Sequence, residues 1–380
     1  MIIDTSMDRQ MLEANRVRRP VPLRHPLLLT ASVVYLLVLI ALWIVLRWQG
    51  ERWWVATLLL LSPRWPFALP LPLLVGWIVW RRAWGHCIWP IVAACILAFP
   101  ILGVRANIPT SGSERPGLRL LSCNVHRQQV DAGELLALIE REKPDVVALQ
   151  DWSESNDAVF APMDGETSSW HRHREGELLL ASRYPIRSIV PLEFPDMAGA
   201  PKAERGAAAG FELVTPHGPV WIVNVHFASP HSGLETFRED GGAGLTNNSD
   251  RRWGQSEQTL GFVETLRAPV IITGDFNTVD DSPLFREHWS EYTDAFSELG
   301  YGLGYTYLVT HTQIRIDHVL GNGWVRFSHF RLHPRIGSPH RPMVAEMDFL
   351  APEGQGQELA EAEIERTPAD SHEAGSAGGR

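Results

Sequence analysis

Six short patches of the 380-residue chain are too polar for their apolar surroundings: Asn124, Gln150-Asp151, Asn224 with His226, Asp275 with Asn277, Asp317-His318, and Ser338-Pro339-His340. Most of them close a β-rich run, where a strand can deliver a side chain to one rim of a sheet. Taken singly, each has a structural explanation: Asn124 can cap a turn, His226 can be a hydrogen-bonded core histidine, and Asp275-Phe276-Asn277 can end a strand. Together they supply carboxylates, amides and imidazoles. These are hard-oxygen ligands of the kind Mg²⁺ prefers, joined to acid/base groups that titrate near neutrality.

Residues spread over more than two hundred positions meet only if regular elements carry them to one place. The runs LRLLSCNV (118–125), DVVALQ (145–150), ELLLAS (177–182), VWIVNVHF (220–227), VIITGDF (270–276) and IDHVL (316–320) read as strands. Between the first two, AGELLALIEREKPD places Leu135, Leu136, Leu138 and Ile139 on one helical face, and residues 252–266 read as a second helix. Strands interspersed with helices indicate an α/β domain built on packed sheets, over residues 118–350. The insertion 230–248 is Gly-rich with both charge signs, and is expected as a mobile loop beside His226 that selects the substrate.

The first hundred residues are a different material. PLLLTASVVYLLVLIALWIV (26–45) has the length of a membrane-spanning helix, starts too late and runs too long for a cleaved signal peptide, and is followed by further apolar segments. Because Ser62-Pro63-Arg64-Trp65-Pro66 interrupts the next segment, a second span is expected over 65–80, with residues 53–61 at the interface; a third runs over 86–102. The anchor therefore occupies 26–104 with about three transmembrane helices. Arg16, Arg18, Arg19 and Arg24 precede the first span and Arg81-Arg82 follow the second, which places both sites in the cytoplasm. With residues 1–25 inside, three crossings put the later domain outside the inner membrane, periplasmic or extracellular. The stretch 105–117, containing IPTSGSERPG, reads as a linker, and 351–380, poor in large apolar residues, as a disordered acidic tail.

The balance of 34 basic against 44 acidic residues, formally −10, argues against sequence-independent grip on long polyanions. Cys87, Cys95 and Cys123 have no zinc-site spacing and imply no disulfide framework; Cys123 reads as a small core residue.

In the order LLSCNV, DVVALQD, LLASRYPI, VNVHF, GDFN, RIDHVL and SPHRPM, residues 118–349 resemble the endonuclease/exonuclease/phosphatase superfamily. The resemblance implies two packed β-sheets flanked by helices, a four-layer α/β sandwich, and metal-dependent hydrolysis of a phosphate ester with Mg²⁺ or Mn²⁺. In such a reaction the cation neutralises phosphate oxygens, water is aligned opposite the leaving group, and an acid/base pair moves one proton. By the same resemblance, Asn124 helps bind metal and phosphate, and Asp151 takes the place of the metal-binding Glu after Gln. His226 donates toward the phosphate oxygens. Asp275 and Asn277 orient the attacking water and the developing pentacoordinate centre, while Asp317 holds the tautomer of His340. Ser182-Arg183-Tyr184-Pro185, Asp294 and Thr306 are expected to support the scaffold.

Two positions depart from the family pattern. Asp151 replaces a Glu, shortening the carboxylate by one methylene, and Pro339 stands where an Asp usually precedes the His, which removes a group able to serve a second metal. The three-span anchor resembles a bacterial subgroup that includes a teicoplanin-resistance membrane phosphatase acting on isoprenoid lipid pyrophosphate. The expected partners are the lipid bilayer and a lipid-linked phosphate substrate. A surface nuclease on DNA or RNA is the alternative with the same chemistry, and a catalytically silent domain binding phosphorylated ligands is the alternative without it.

Overall fold

The computed structural model describes residues 25–108, 116–154, 156, 159–160, 170–194, 206–309 and 312–350. The segment 1–25 expected in the cytoplasm, most of the expected linker and the expected tail 351–380 therefore lie largely or wholly outside the described residues. The chain divides into two units, Met1–Ala41 with Trp65–Leu97, and Leu42–Arg64 with Ala98–Arg380.

The apolar region forms α1 (Pro26–Gln49), α2 (Trp54–Leu61), α3 (Pro70–Arg81) and α4 (Ile88–Ile96). Pro26–Arg52 and Trp84–Ile101 are each long and apolar enough to cross a membrane. Trp54–Leu61 and Trp65–Arg81 would make a third only as a pair bent by 80°. In the first unit Leu28, Ile78 and Ala83 pack together, and the Tyr35 hydroxyl donates to the Phe67 carbonyl at 2.8 Å. Helix α2 belongs to the second unit. Residues expected at the membrane interface thus set Trp54 against Phe237, with ring centroids 5.2 Å apart.

The second unit continues with β1 (Arg105–Ala106), β2 (Leu118–Asn124), α5 (Ala132–Glu142), β3 (Val146–Gln150), β4 (His171–Glu175), β5 (Leu178–Ser182), β6 (Ile186–Leu192), β7 (Ala207–Thr215) and β8 (Gly218–His226). Then come α6 (His231–Asp240), α7 (Ala243–Thr265), β9 (Val270–Asp275), α8 (Pro283–Trp289), β10 (Thr293–Asp294), α9 (Ala295–Leu299) and β11 (Tyr301–Gly302). The chain ends with β12 (Tyr307–Leu308), β13 (Gln313–Ile314), β14 (Asp317–Gly321), β15 (Val325–Leu332) and β16 (Met343–Phe349).

Two six-stranded mixed sheets result, ordered β15-β16-β2-β3-β5-β4 and β10-β14-β9-β8-β7-β6. Each has one parallel pair, β2/β3 and β8/β9. Leu118, Leu120, Val146 and Ala148 of one sheet share a core with Phe211, Val220, Ile222 and Ile271 of the other. The outer faces are covered by α5, through Leu135, Leu138 and Ile139, and by α7 and α8, through Val263, Phe285 and Trp289. This is the four-layer α/β sandwich.

Two local expectations change. Arg105-Ala106 of the linker pairs antiparallel with Tyr301-Gly302 and so joins the domain. The loop expected over 230–248 is instead helical, α6 and the first turns of α7. Its glycines close the turn between them: Gly241 and Gly242 take φ of 63° and 95°, and the Asp240 carboxylate accepts from the N–H groups of Gly242 and Gly244, each at 2.8 Å. Helix α7 consequently begins nine residues before the expected 252.

Candidate active site

Alternation along a strand puts every second side chain on one face. In β2 the inward set that begins Leu118, Leu120 ends at Asn124; in β3, Val146 and Ala148 lead to Gln150. In β8, Val220 and Ile222 lead to Asn224 and His226, and in β9, Ile271 leads to Asp275. Val319 of β14 shares its parity with Asp317. Register aligns these ends, with Asn124 beside Gln150, His226 beside Asp275, and Asp275 beside Asp317. The polar residues are therefore the last inward positions of core strands. That is why they look too polar for their runs.

Asp275 is the hub. Its carboxylate accepts from Asn124 Nδ2 and from the Asn277 N–H, both at 2.9 Å. It lies 3.7 Å from His340 Nε2 and 3.8 Å from His226 Nε2. His340 Nδ1 meets both oxygens of Asp317, at 3.0 and 2.9 Å. Ser338 Oγ ties the segments together, donating to the Asn124 carbonyl at 2.7 Å and accepting from the His340 N–H at 3.1 Å. Asn277 Nδ2 donates to the Phe227 carbonyl at 2.9 Å, with its own φ at +50°. Such a conformation costs energy in a non-glycine residue and persists only where the surroundings enforce it.

Electrostatics sharpen the arrangement. Burial and the Asp317 charge raise the Asp275 carboxyl, opposed by His340 and His226. Burial opposes the charged form of His226, but Glu177, Asp275 and Asp151 outweigh it and lift the imidazole to about 9. His340 is likewise raised, burial being overcome by Asp317 and Asp275. Two buried carboxylates thus face two imidazoles that favour the cationic form.

The Endonuclease/Exonuclease/phosphatase family model matches residues 121–340, a span that holds every one of these groups. The chain belongs to that family. Endonuclease/exonuclease/phosphatase members are metal-dependent hydrolases acting on phosphate ester bonds, and so is this chain. Similar solved structures include humanized D. rerio TDP2, at 17% identity over 61% of this chain and 98% of that one, with a TM-score of 0.49. An endonuclease/exonuclease/phosphatase from Beutenbergia cavernae is 17% identical over 62% and 72%, TM-score 0.45. A 3′ phosphatase from Neisseria is 16% identical over 61% and 100%, TM-score 0.46. No curated protein matches the sequence significantly.

The family's cation finds suitable donors. Asp275, Asp317 and His340 offer ligand atoms that all lie within 4.8 Å of one another, and two hard-oxygen carboxylates with an imidazole suit a small divalent ion. Asp151, expected as a ligand from its place after Gln150, stands apart from this cluster. It adopts φ of +52°, accepts from Arg127 Nε at 3.2 Å and lies 3.9 Å from His126 Nδ1. Asn124, the other expected ligand, turns its amide nitrogen to Asp275 and its oxygen to the His126 N–H at 2.9 Å. His340, Asp317, Asp275, Asn277, His226 and Asn124 are brought together in this endonuclease/exonuclease/phosphatase site, with Asp151 at its edge.

Gln150 and Asn224 bond each other between the sheets, Gln150 Nε2 donating to Asn224 Oδ1 at 2.8 Å. Asn224 passes its own amide hydrogens to the carbonyls of Leu149 and Leu179. Neither joins the Asp275 group, and both serve the sheet-to-sheet joint. Asp294 N-caps α9 and accepts from Arg315 at 2.7 Å, while Thr306 Oγ1 accepts from the N–H of Asp317 at 3.1 Å. His318 points away, to Asp294 and the Thr278 carbonyl.

Two residues escaped the sequence reading. Glu177 Oε1 sits 2.7 Å from His226 Nδ1 and fixes that ring. A carboxylate opening the apolar run ELLLAS was the available signal. Tyr307 packs edge-on against His340, ring centroids 4.9 Å apart, brought there by its bridge to His340 and by the bonds from the Leu308 N–H to the Pro339 carbonyl and from the Arg341 N–H to the Thr306 carbonyl.

Proposed function

We propose that this endonuclease/exonuclease/phosphatase member is a membrane-anchored enzyme that hydrolyses a phosphate ester or pyrophosphate carried by a lipid, at the outer face of an inner membrane. The observation that carries the chemistry is the buried Asp275–His340–Asp317 cluster with His226 beside it. The observation that favours a lipid substrate is the apolar helical region on the same chain, because a site tethered at a bilayer meets lipid headgroups at high effective concentration. The net charge of −10 disfavours long nucleic acids. The three spans expected from the sequence, and the resemblance they imply to a subgroup acting on isoprenoid lipid pyrophosphate, support the same reading.

In this reading His226, cationic near neutral pH, donates to a phosphate oxygen, and Asn124 and Asn277 position the phosphate. Asp275 accepts from the attacking water, and His340, with Asp317 fixing its Nδ1 proton, exchanges a proton at Nε2. Asp151 and Asn124 at the site's edge, or the carboxylates of Asp275 and Asp317, would hold Mg²⁺ or Mn²⁺. When bound, the cation neutralises charge on the phosphate oxygens.

Purified full-length protein assayed with Mg²⁺ against an isoprenoid lipid pyrophosphate, a phosphodiester lipid and plasmid DNA tests the reading. Lipid turnover abolished by a chelator and by His340→Ala supports it. Preferential cleavage of DNA would make the chain a surface nuclease. Tight phosphate-ligand binding without turnover would make it a silent binding protein, as the loss of a carboxylate at Pro339 allows.

A further inference from the structure

The loop that ends in the active site is held from behind by residues of the apolar region. Asp275 and Asn277 are followed by the turn Thr278–Ser282, which feeds the first turn of α8. Against it lies the short helical turn Gly50–Arg52 that follows α1. Glu51, 5% exposed, inserts its carboxylate between the two ends of that turn. It accepts from the Thr278 hydroxyl and, through Oε2, from the Leu284 N–H at 3.3 Å, one of the free donors at the start of α8. Ser282 completes the group, its hydroxyl 3.1 Å from that of Thr278. Gly50 makes the approach possible, since a Cβ there would meet Pro283 at 2.2 Å.

Two more residues brace the same turn. Arg64 reaches both oxygens of Asp281, at 2.8 and 3.2 Å, and Arg105 reaches Asp280 at 3.2 Å. Thr278, beside the strained Asn277, offers its carbonyl to His318 Nε2 at 3.0 Å, so its position is set from both sides. Buried Arg252 completes the link. It donates to the Ala228 carbonyl at 3.1 Å, two residues from His226, and its charge acts on both Glu51 and Asp275.

We propose that Leu42–Arg64, the segment leading out of the first apolar helix, is part of the machinery that shapes the active site, with Glu51 as a positioning residue that fixes the Asp275–Leu284 loop. The anchor then does more than tether. A hydrolytic domain stripped of this segment would leave the Thr278 hydroxyl and the Leu284 N–H without their partner and the loop free to shift. A displacement of about 1 Å at such a site can cost on the order of a hundredfold in rate.

The test uses full-length protein in detergent, with turnover of a phosphate ester and amide hydrogen exchange read in parallel. Glu51→Asp keeps the charge but loses reach, whereas Glu51→Gln keeps the reach and can bond both partners. The expected result is that E51D lowers kcat roughly tenfold or more with KM little changed, and speeds exchange over 276–284 but not over 118–124. E51Q stays within about threefold of wild type. Arg326→Ala, at an exposed position of β15 outside this segment, leaves both readouts unchanged. If E51D does not fold, Gly50→Ala displaces the same turn without touching a charge, and the same local rise in exchange is expected. Wild-type kcat and exchange in E51D or G50A would overturn the proposal, as would a uniform rise in exchange across the domain. Because exchange is read without substrate, a wild-type protein inactive on every ester tested would sink the proposed function alone.

Discussion

Asp317 holds His340 by a single ring nitrogen: both carboxylate oxygens converge on Nδ1, at 3.0 and 2.9 Å. The pair is buried, and the Asp317 N–H is itself fixed by Thr306 Oγ1. With Nδ1 committed, Nε2 is the atom left to exchange a proton. Asp317→Asn and His340→Ala should each lower kcat by on the order of 10²–10⁴. The double variant should be no worse than the poorer single one, since groups acting as a unit do not add. Losses that multiply in the double variant would mean that the two residues work separately.

The Glu177–His226 contact makes a prediction about pH. His226 is held to about 9 because Glu177, Asp275 and Asp151 outweigh the burial that opposes its charge. The imidazole is therefore cationic below about 9 and loses its proton as pH rises through that value. kcat/KM should fall on an alkaline limb there. Glu177→Gln removes the strongest supporting charge, so the limb should move down toward the ordinary histidine value of roughly 6.5. A pH–rate profile whose alkaline limb is unmoved in E177Q would assign the limb to another group.

Cation binding should be visible as stability. Burial and Asp317 raise the Asp275 carboxyl in the folded state. A raised group favours folding most below its unfolded value, and that contribution is lost as pH rises through the folded value. Without metal, Asp275 should therefore support the fold less at neutral pH than below its unfolded value. Wild-type protein should gain about 2.7 kcal/mol with a divalent ion at a hundred times its Kd, and D275N should gain little. Asp151→Asn separates two placements of the ion. Loss of the Mg²⁺ response in D151N puts the ion at the site's edge, and a full response confines it to the buried cluster. Calorimetric titration should find one ion per chain, because Pro339 offers no carboxylate for a second.

The sequence showed the site better than it showed what supports the site. Asn124, His226, Asp275 and Asp317 were legible because a polar residue at the end of an inward-facing run violates the local pattern, and β2, β8, β9 and β14 show that violation directly. Glu177 broke the same rule at the start of its strand, where a charge is unremarkable. Tyr307 was invisible, since its place beside His340 depends on a two-residue bridge between distant segments. The Gly-rich composition of 230–248 points to a loop, whereas the Asp240 carboxylate caps the turn at Gly241-Gly242 and lets helices form on both sides of it. Glu51 lies in an apolar region read as anchor, and nothing local to it signals a partner more than two hundred residues away.

Gly274 offers a stability test within the GDFN motif. Its φ is +134°, and a Cβ would fall 2.0 Å from the Val225 carbonyl oxygen on the neighbouring strand. Because that neighbour is backbone, neither side can yield without parting β8 from β9 beside His226 and Asp275. Gly274→Ala should cost on the order of 3 kcal/mol or more, read as a fall in chemical-unfolding midpoint, and lower activity further than the stability loss explains. Wild-type stability in this variant would show that the strands part at little cost.

If the apolar helices cross a bilayer as proposed, the Glu51 and Arg64 contacts constrain the topology, because residues bonded to the catalytic domain lie on its side. Between Arg64 and Arg105 the chain must then cross an even number of times. Two crossings, over 84–101 and over the shorter apolar segment 65–81 that the sequence predicts as a span, would meet that condition, with Arg81-Arg82 between them on the opposite side and α1 as the third. With the arginines cytoplasmic, as proposed, the domain is expected outside. Single cysteines at exposed Arg52 and Arg326, in a chain whose three native cysteines are replaced, should both react with a membrane-impermeant maleimide on intact cells. A cysteine at Arg82 should react only after permeabilisation. Labelling at 52 but not at 326 would separate the loop from the domain and remove the basis for Glu51 as a positioning residue. Protection of both, with 82 exposed, would keep the pairing and invert the orientation.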